Sequence, residues 1–389
     1  MSHTLSLSLS VSQSKIMLSP TPLSLFCALI LCLPLVIIVT ITSPTTTVHG
    51  GSEHDPVLDF APAVKTHQRF SVKSPPLPPV DDKSLLRAAS RVNSRTPPGL
   101  PKKIAFLFLT VSPLPFAPLW ELYFNKTPKN LFNVYVHADP SYPYEMTFSG
   151  VFAHRVIPSK PSLRFTPTLI SAARRLLAHA LLHDRSNHMF TLLSASCIPI
   201  HSFNFTYETL TQSKKSFIEI LNNEIGSYDR WAARGPDAML PEVKLEDFRI
   251  GSQFWSLTRQ HARLIVGDET IWAKFNQSCV VRDTCYPEEN YFPTLIHIRD
   301  PRNVVPWTLT HVDWNGSSDG HPRMYAASEV GPQLIVRLKN DKPRYDDSGI
   351  DSSDPTLMRR RDPFLFARKF SPDSILPLMS IASDVIFKD

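Results

Sequence analysis

The chain has 389 residues, 42% of them hydrophobic, and a net charge of +6. That is enough for one large domain or two smaller ones around a substantial core. No basic stripe with interleaved aromatics runs through it, which argues against a nucleic-acid binder, and the mild positive charge suits small anionic ligands.

In chain order, the first 50 residues carry one charged side chain, Lys15. From Leu23 to Ile41 runs "LSLFCALILCLPLVIIVTI", close to the roughly 20 apolar residues that span a bilayer. It predicts a signal-anchor over 23–42 behind a short cytosolic tail, 1–22, with a cleaved signal peptide as the alternative. Lys15 precedes it while Glu53 and Asp55 follow, which places the body on the lumenal side. Residues 43–100 are rich in Ser, Thr and Pro, a composition that buries too little to fold, and read as a stem.

The body is expected over 101–389. "KKIAFLFLT" reads as a buried strand, "FAPLWELYF" as a helix and "LFNVYVHADP" as a second strand ending at Asp139. "LISAARRLLAHALLHD" is an amphipathic helix and "HMFTLLSAS" a third strand. This alternation predicts an α/β fold with a mixed, mainly parallel sheet flanked by helices. Ligands bind at the carboxyl ends of such strands, which puts Thr110, Asp139 and Ser194 near a cleft. "SQFWSLTRQHARLIVGD" reads as a strand running into a helix. Residues 340–362 are polar and low in complexity, an exposed loop whose Asp346 and Asp347 are solvated acids rather than metal ligands.

Acceptor sequons stand at Asn125, Asn204, Asn276 and Asn315, as suits a lumenal body. Of five cysteines, Cys27 and Cys32 fall in the anchor. Cys279 and Cys285 could close a short loop in an oxidising compartment; the alternative is separate thiols, and no zinc spacing is present.

"CYPEENYFPTLI", residues 285–296, sets Glu288 and Glu289 after a proline suited to the first helical position. Both acids suit the positive end of a helix dipole, so they could simply be helix-start residues. Pro293, however, lacks the N–H that would bond the Glu289 carbonyl, so the helix is expected to start later or kink there.

Together "KIAFLFLTVSPLPFAPLWELYF", "YVHADP", "LLSASCIPI", "DFRIGSQFWSLTRQHARLIVGD", "CYPEENYFPTLI", "THVDWNGSSDGHPRMY" and "FLFARKF" resemble the plant branch of the Core-2/I-branching β-1,6-N-acetylglucosaminyltransferase family, glycosyltransferase family 14. The resemblance covers roughly residues 101–389. It implies a GT-A-type nucleotide-sugar fold and inverting transfer from a UDP-sugar, GlcNAc by family, to a glycan or glycoprotein. It also implies no metal or other cofactor, and a single-pass type II protein of the Golgi membrane. Glu289 falls at the family's catalytic base. Asp139 matches its uridine-contacting acid, Thr110 lies near the base of the nucleotide, and Lys369 matches its diphosphate lysine. The family arginine aligns near Gly320 or His321, with Arg323 close enough to substitute. For the acceptor the resemblance points to Trp314 and Arg230. A catalytically silent, glycan-binding or scaffolding relative is the alternative. A glycosidase is disfavoured, since adjacent carboxylates such as Glu288 and Glu289 do not flank one bond.

Overall fold

The computed structural model describes residues 81–144, 148–222, 224–315, 321–343 and 362–389. The expected tail, anchor, first part of the stem and centre of the 340–362 loop lie outside them. No helix among the described residues is long and apolar enough to cross a membrane.

The chain forms α1 (Asp82–Ser90), β1 (Lys103–Thr110), α2 (Ala117–Phe124), β2 (Phe132–Ala138), α3 (Pro167–His183) and β3 (Asn187–Ser194). There follow β4 (Ile198–Pro199), α4 (Phe203–Gln212), β5 (Ser216–Phe217), α5 (Ser227–Trp231), β6 (Ser256–Thr258), α6 (Arg259–Gly267) and α7 (Thr270–Phe275). The last elements are α8 (Pro287–Arg299), β7 (Val304–Val305), β8 (Thr310–Val312), α9 (Pro332–Asn340), β9 (Phe366–Arg368) and α10 (Ile375–Ser380). One sheet has the order β2-β1-β3-β6-β5-β7 and a smaller one β4-β9-β8. β1 pairs in parallel with both β2 and β3, whereas β6 runs antiparallel to β3 and β5, so the mixed sheet is as expected.

Period-two alternation in β1 explains why helices cover both faces. Ile104, Phe106 and Phe108 enter one core, where Phe106 and Phe108 pack edge-on against Trp120 of α2. Ala105, Leu107 and Leu109 enter the other, with Ala172, Ala173, Leu176 and Leu177 of α3. Each fully buried large side chain contributes about 1.5–3 kcal/mol. α3 begins cleanly because the Thr166 side chain accepts from the Thr168 N–H and Pro167 occupies the first turn.

The stem expected over 43–100 does not extend over residues 82–90. Those form α1, which buries Leu85 and Ala89 in the α3 core. Asp82 also pairs with Arg175 of α3 at 2.5 Å and with Lys160 at 3.0 Å. Two apolar positions one helical turn apart suffice to dock a short helix, even in polar, proline-flanked sequence.

α8 does not start later than its proline. It runs from Pro287 with both glutamates in its first turn and Pro293 inside. The Glu289 carbonyl that Pro293 leaves without an intrahelical donor accepts the Gly251 N–H at 2.9 Å. Beside it, the Arg249 carbonyl accepts from the Asn290 amide and the Thr294 hydroxyl at 3.3 Å each, so residues 249–251 line the proline break. Only glycine fits at 251. A Cβ there would stand 2.0 Å from the Glu219 carbonyl oxygen and 2.8 Å from its carbon. Gly251→Ala is therefore expected to cost roughly 2–3 kcal/mol, read as a lower urea midpoint at unchanged m; a midpoint within error of wild type would contradict this packing.

Candidate active site

The parallel registers set the floor of the site. Thr110 pairs with Ala138, and Leu109 with Ser194, so Thr110, Asp139 and Ser194 gather at the carboxyl edge of the sheet. The Asp139 N–H donates to the Thr110 carbonyl at 3.0 Å, and the Tyr144 hydroxyl donates to the same carbonyl at 3.2 Å. The Thr110 hydroxyl is engaged within its own turn, donating to the Ser112 carbonyl and accepting its N–H. Asp139 is 1% exposed. Burial pushes its carboxyl up, but hydrogen bonds from the Ser141 N–H and from both the N–H and hydroxyl of Ser162 outweigh burial and hold it below the usual range.

From Ser162 the chain leads directly to the glutamates. Phe165, three residues on, is in the left-handed region at φ 63° and donates its N–H to Glu288 Oε1 at 3.2 Å. Its ring meets Tyr286 edge-on at 5.3 Å. The Arg230 guanidinium of α5 lies 4.4 Å from the Tyr286 ring centroid, and its Nη1 donates to Glu289 Oε2 at 2.9 Å. The first turn of α8 thus carries two acids in different settings. Glu288 is 3% exposed, and burial, reinforced by the Glu289 charge, pushes it up to about 7, against the Phe165 N–H and the Arg164 charge. The Glu289 side chain is 31% exposed and faces a cation.

The smaller sheet brings up further cations. β9 pairs with β8 so that Arg368 lies beside Val312, and the Arg368 guanidinium stacks 4.5 Å from the Phe254 ring centroid. Burial lowers the proton affinity of Arg368; the charges it feels include Glu289 and Arg164. Its Nε has no hydrogen-bond partner among the described residues. The Lys369 carbonyl accepts the Tyr325 N–H at 2.9 Å, and Arg323 lies over the Tyr325 ring at 5.2 Å. Arg323 is not a free cation, since it pairs with Asp313 at 3.5 Å and with Glu329. Arg164 approaches His321 at 3.5 Å. Trp314 is 56% exposed beside Asp313.

The structure therefore brings Asp139, Glu289 and Arg230 into one chain of contacts, and Arg323 and Lys369 into another around Tyr325. Sequence reasoning missed Arg164 and Arg368. Arg368 stands next to Lys369 in "FARKF", and Arg164 lies in "LRFTP"; proximity in sequence to a recognised segment was the available signal. Cys279 and Cys285 form a disulfide, and the N–H groups of Val280 and Val281 in that loop both donate to the Ala233 carbonyl, beside α5. All four sequon asparagines are exposed. Two surface hollows, of about 540 and 350 Å³, contain none of the expected site residues, so the chemistry of the side chains locates the site.

Acids and cations gathered at the carboxyl edge of a partly parallel sheet suit transfer of an anionic, nucleotide-linked group, and comparison with known proteins gives the class, glycosyltransferase. The chain belongs to the Core-2/I-branching enzyme family, whose model matches residues 104–339. It is similar to Glycosyltransferase BC10 of Oryza sativa subsp. japonica, with 30% identity over 318 residues, covering 74% of this chain and 78% of the rice protein.

The Arg230–Glu289 pair is partly solvated, 24% and 31% exposed, so its contribution to stability is small. Arg230→Ala is expected to change urea-derived stability by less than about 1 kcal/mol; a loss above about 2 kcal/mol would make the pair a structural rather than a functional contact.

Proposed function

We propose that this protein transfers a sugar from a UDP-sugar to a glycan or glycoprotein hydroxyl by direct, inverting displacement, with Glu289 as base and without a metal. The observation that carries the reading is Glu289 itself, a partly exposed carboxylate on an interrupted helix, fixed by Arg230 and linked through Tyr286 and residues 162–165 to Asp139. A base must lie within hydrogen-bond reach of the proton it takes. Arg230 holds Glu289 through Oε2, and among the described residues Oε1 accepts no hydrogen bond, so it can receive the acceptor hydroxyl while Arg230 keeps the carboxylate oriented.

Attack by the acceptor oxygen forms the new glycosidic bond as the sugar–phosphate bond breaks. The acceptor proton passes to Glu289, and the bonding pair leaves with UDP. Fixed cations can stabilise that leaving charge in place of a metal. Arg368, Lys369 and Arg164 support this role, whereas Arg323 is already paired with Asp313 and Glu329. Asp139 orders the turns at Ser141 and Ser162 that frame the nucleotide side. Exposed Trp314 offers an aromatic face to the apolar side of an acceptor sugar. We place the protein in the Golgi membrane, anchored through 23–42 with the body lumenal, on the strength of the apolar segment and the four exposed sequons. GlcNAc is the donor sugar favoured by family.

The test is UDP release in EDTA with a panel of UDP-sugars and mixed glycan acceptors, comparing wild type with Glu289→Gln. Release is expected to survive chelation and to fall at least about 10²-fold in the variant. Equal release from both proteins would remove Glu289 from the base role, and glycan binding without release would favour a silent, glycan-binding member.

A further inference from the structure

Glu288 is unused by the transfer chemistry, yet it is the more deeply placed of the two acids. Its Oε1 accepts the Phe165 N–H at 3.2 Å, and its Oε2 is buried without a hydrogen-bond partner among the described residues. The segment it holds, residues 162–166, is short and fastened along its length. Ser162 donates twice to Asp139 Oδ2, at 2.6 and 3.0 Å, and Thr166 caps α3. Between them Phe165 adopts a positive φ of 63°, a conformation costly for a residue with a bulky side chain, which persists only where its surroundings impose it. Those surroundings are the Glu288 carboxyl on its N–H and Tyr286 on its ring. From Ser162 to Phe165 is at most roughly 11 Å of backbone. The same Tyr286 ring supports Arg230, which holds Glu289.

We propose that Glu288 is a positioning residue of the transfer site: its carboxyl anchors the 162–166 strap, which couples the nucleotide side at Asp139 to the Tyr286–Arg230–Glu289 array. The inference rests on the UDP-sugar reading of the site. Without the anchor, Phe165 is free to leave its left-handed conformation, Tyr286 loses its ring partner, and the turn that fastens Ser162 to Asp139 loosens. Charge adds a second consequence. The charged groups facing Glu288 are Glu289 on its own helix, Arg164 on the strap and Arg234 on the short helix after α5. Burial keeps Glu288 neutral below about 7. Above that it adds a negative charge to the first turn of α8, which opposes the binding of an anionic donor in the site.

The experiment uses the full chain, Glu288→Gln and Glu288→Ala. Amide hydrogen exchange at Phe165 is read first, then UDP affinity from pH 6 to 8.5. Glutamine keeps an acceptor for the Phe165 N–H and stays neutral, so it should preserve Phe165 protection and bind UDP within about twofold of wild type at pH 6. Alanine should lower Phe165 protection at least about tenfold and weaken UDP binding roughly 5- to 50-fold. With rising pH, wild type should lose affinity several-fold relative to Glu288→Gln, since only the wild-type group ionises. Phe165 protection unchanged in Glu288→Ala would overturn the anchor, and UDP affinity unchanged in that variant would overturn the coupling. A wild type that binds no UDP would overturn the donor reading, and the anchor would then stand or fall on the Phe165 amide.

Discussion

One hydrogen bond fixes the helix that carries both glutamates. Pro293 denies the Glu289 carbonyl its partner within the helix, and the Gly251 N–H supplies one from outside. A buried carbonyl without a donor is costly, so the first turn of α8 is pinned to the 249–251 segment and cannot slide along the sheet. The close approach of Gly251 to the Glu219 carbonyl leaves no room for a side chain, which keeps the contact tight. The helix so held presents Glu289 to Arg230, whose guanidinium lies over the Tyr286 ring.

Adjacent carboxylates normally repel, and here the environment separates their roles. Glu288 is turned into the protein, where burial pushes it up to about 7 and a backbone N–H is its partner. Glu289 is turned out toward Arg230. One acid is thereby buried against a backbone N–H and the other faces a cation at the partly exposed end, a division set by surroundings and not by residue type. The cations divide in a similar way. Arg323 is occupied by Asp313 and Glu329, whereas Arg368 is held by stacking on Phe254 and its Nε has no hydrogen-bond partner among the described residues.

The three parallel strands and α3 were legible because apolar periodicity is local, and the sheet edge carrying Asp139 came with them. The segment that carries Glu289 was legible through its family motif, and the Cys279–Cys285 pairing through its short spacing. α1 was not, because its docking depends on just Leu85, Ala89 and Asp82 within a polar, proline-flanked stretch. Pro293 signalled a broken hydrogen bond correctly, but the donor that repairs it lies 38 positions away from Glu289 in sequence, at Gly251. Arg230 meets Glu289 across 59 residues, and Arg164 and Arg368 reach the site through Phe165 and β9. Such long-range electrostatic partners leave no periodic trace in one sequence, so they became visible only when the sheet brought them together.

A single base acting opposite the leaving group commits the chemistry to inversion, whereas two successive displacements through a covalent intermediate would retain configuration. Proton NMR of the first-formed product therefore tests the central claim most directly. From an α-linked UDP-sugar the newly formed linkage should show the coupling constant of a β anomer; an α-linked product would contradict single-base displacement at Glu289.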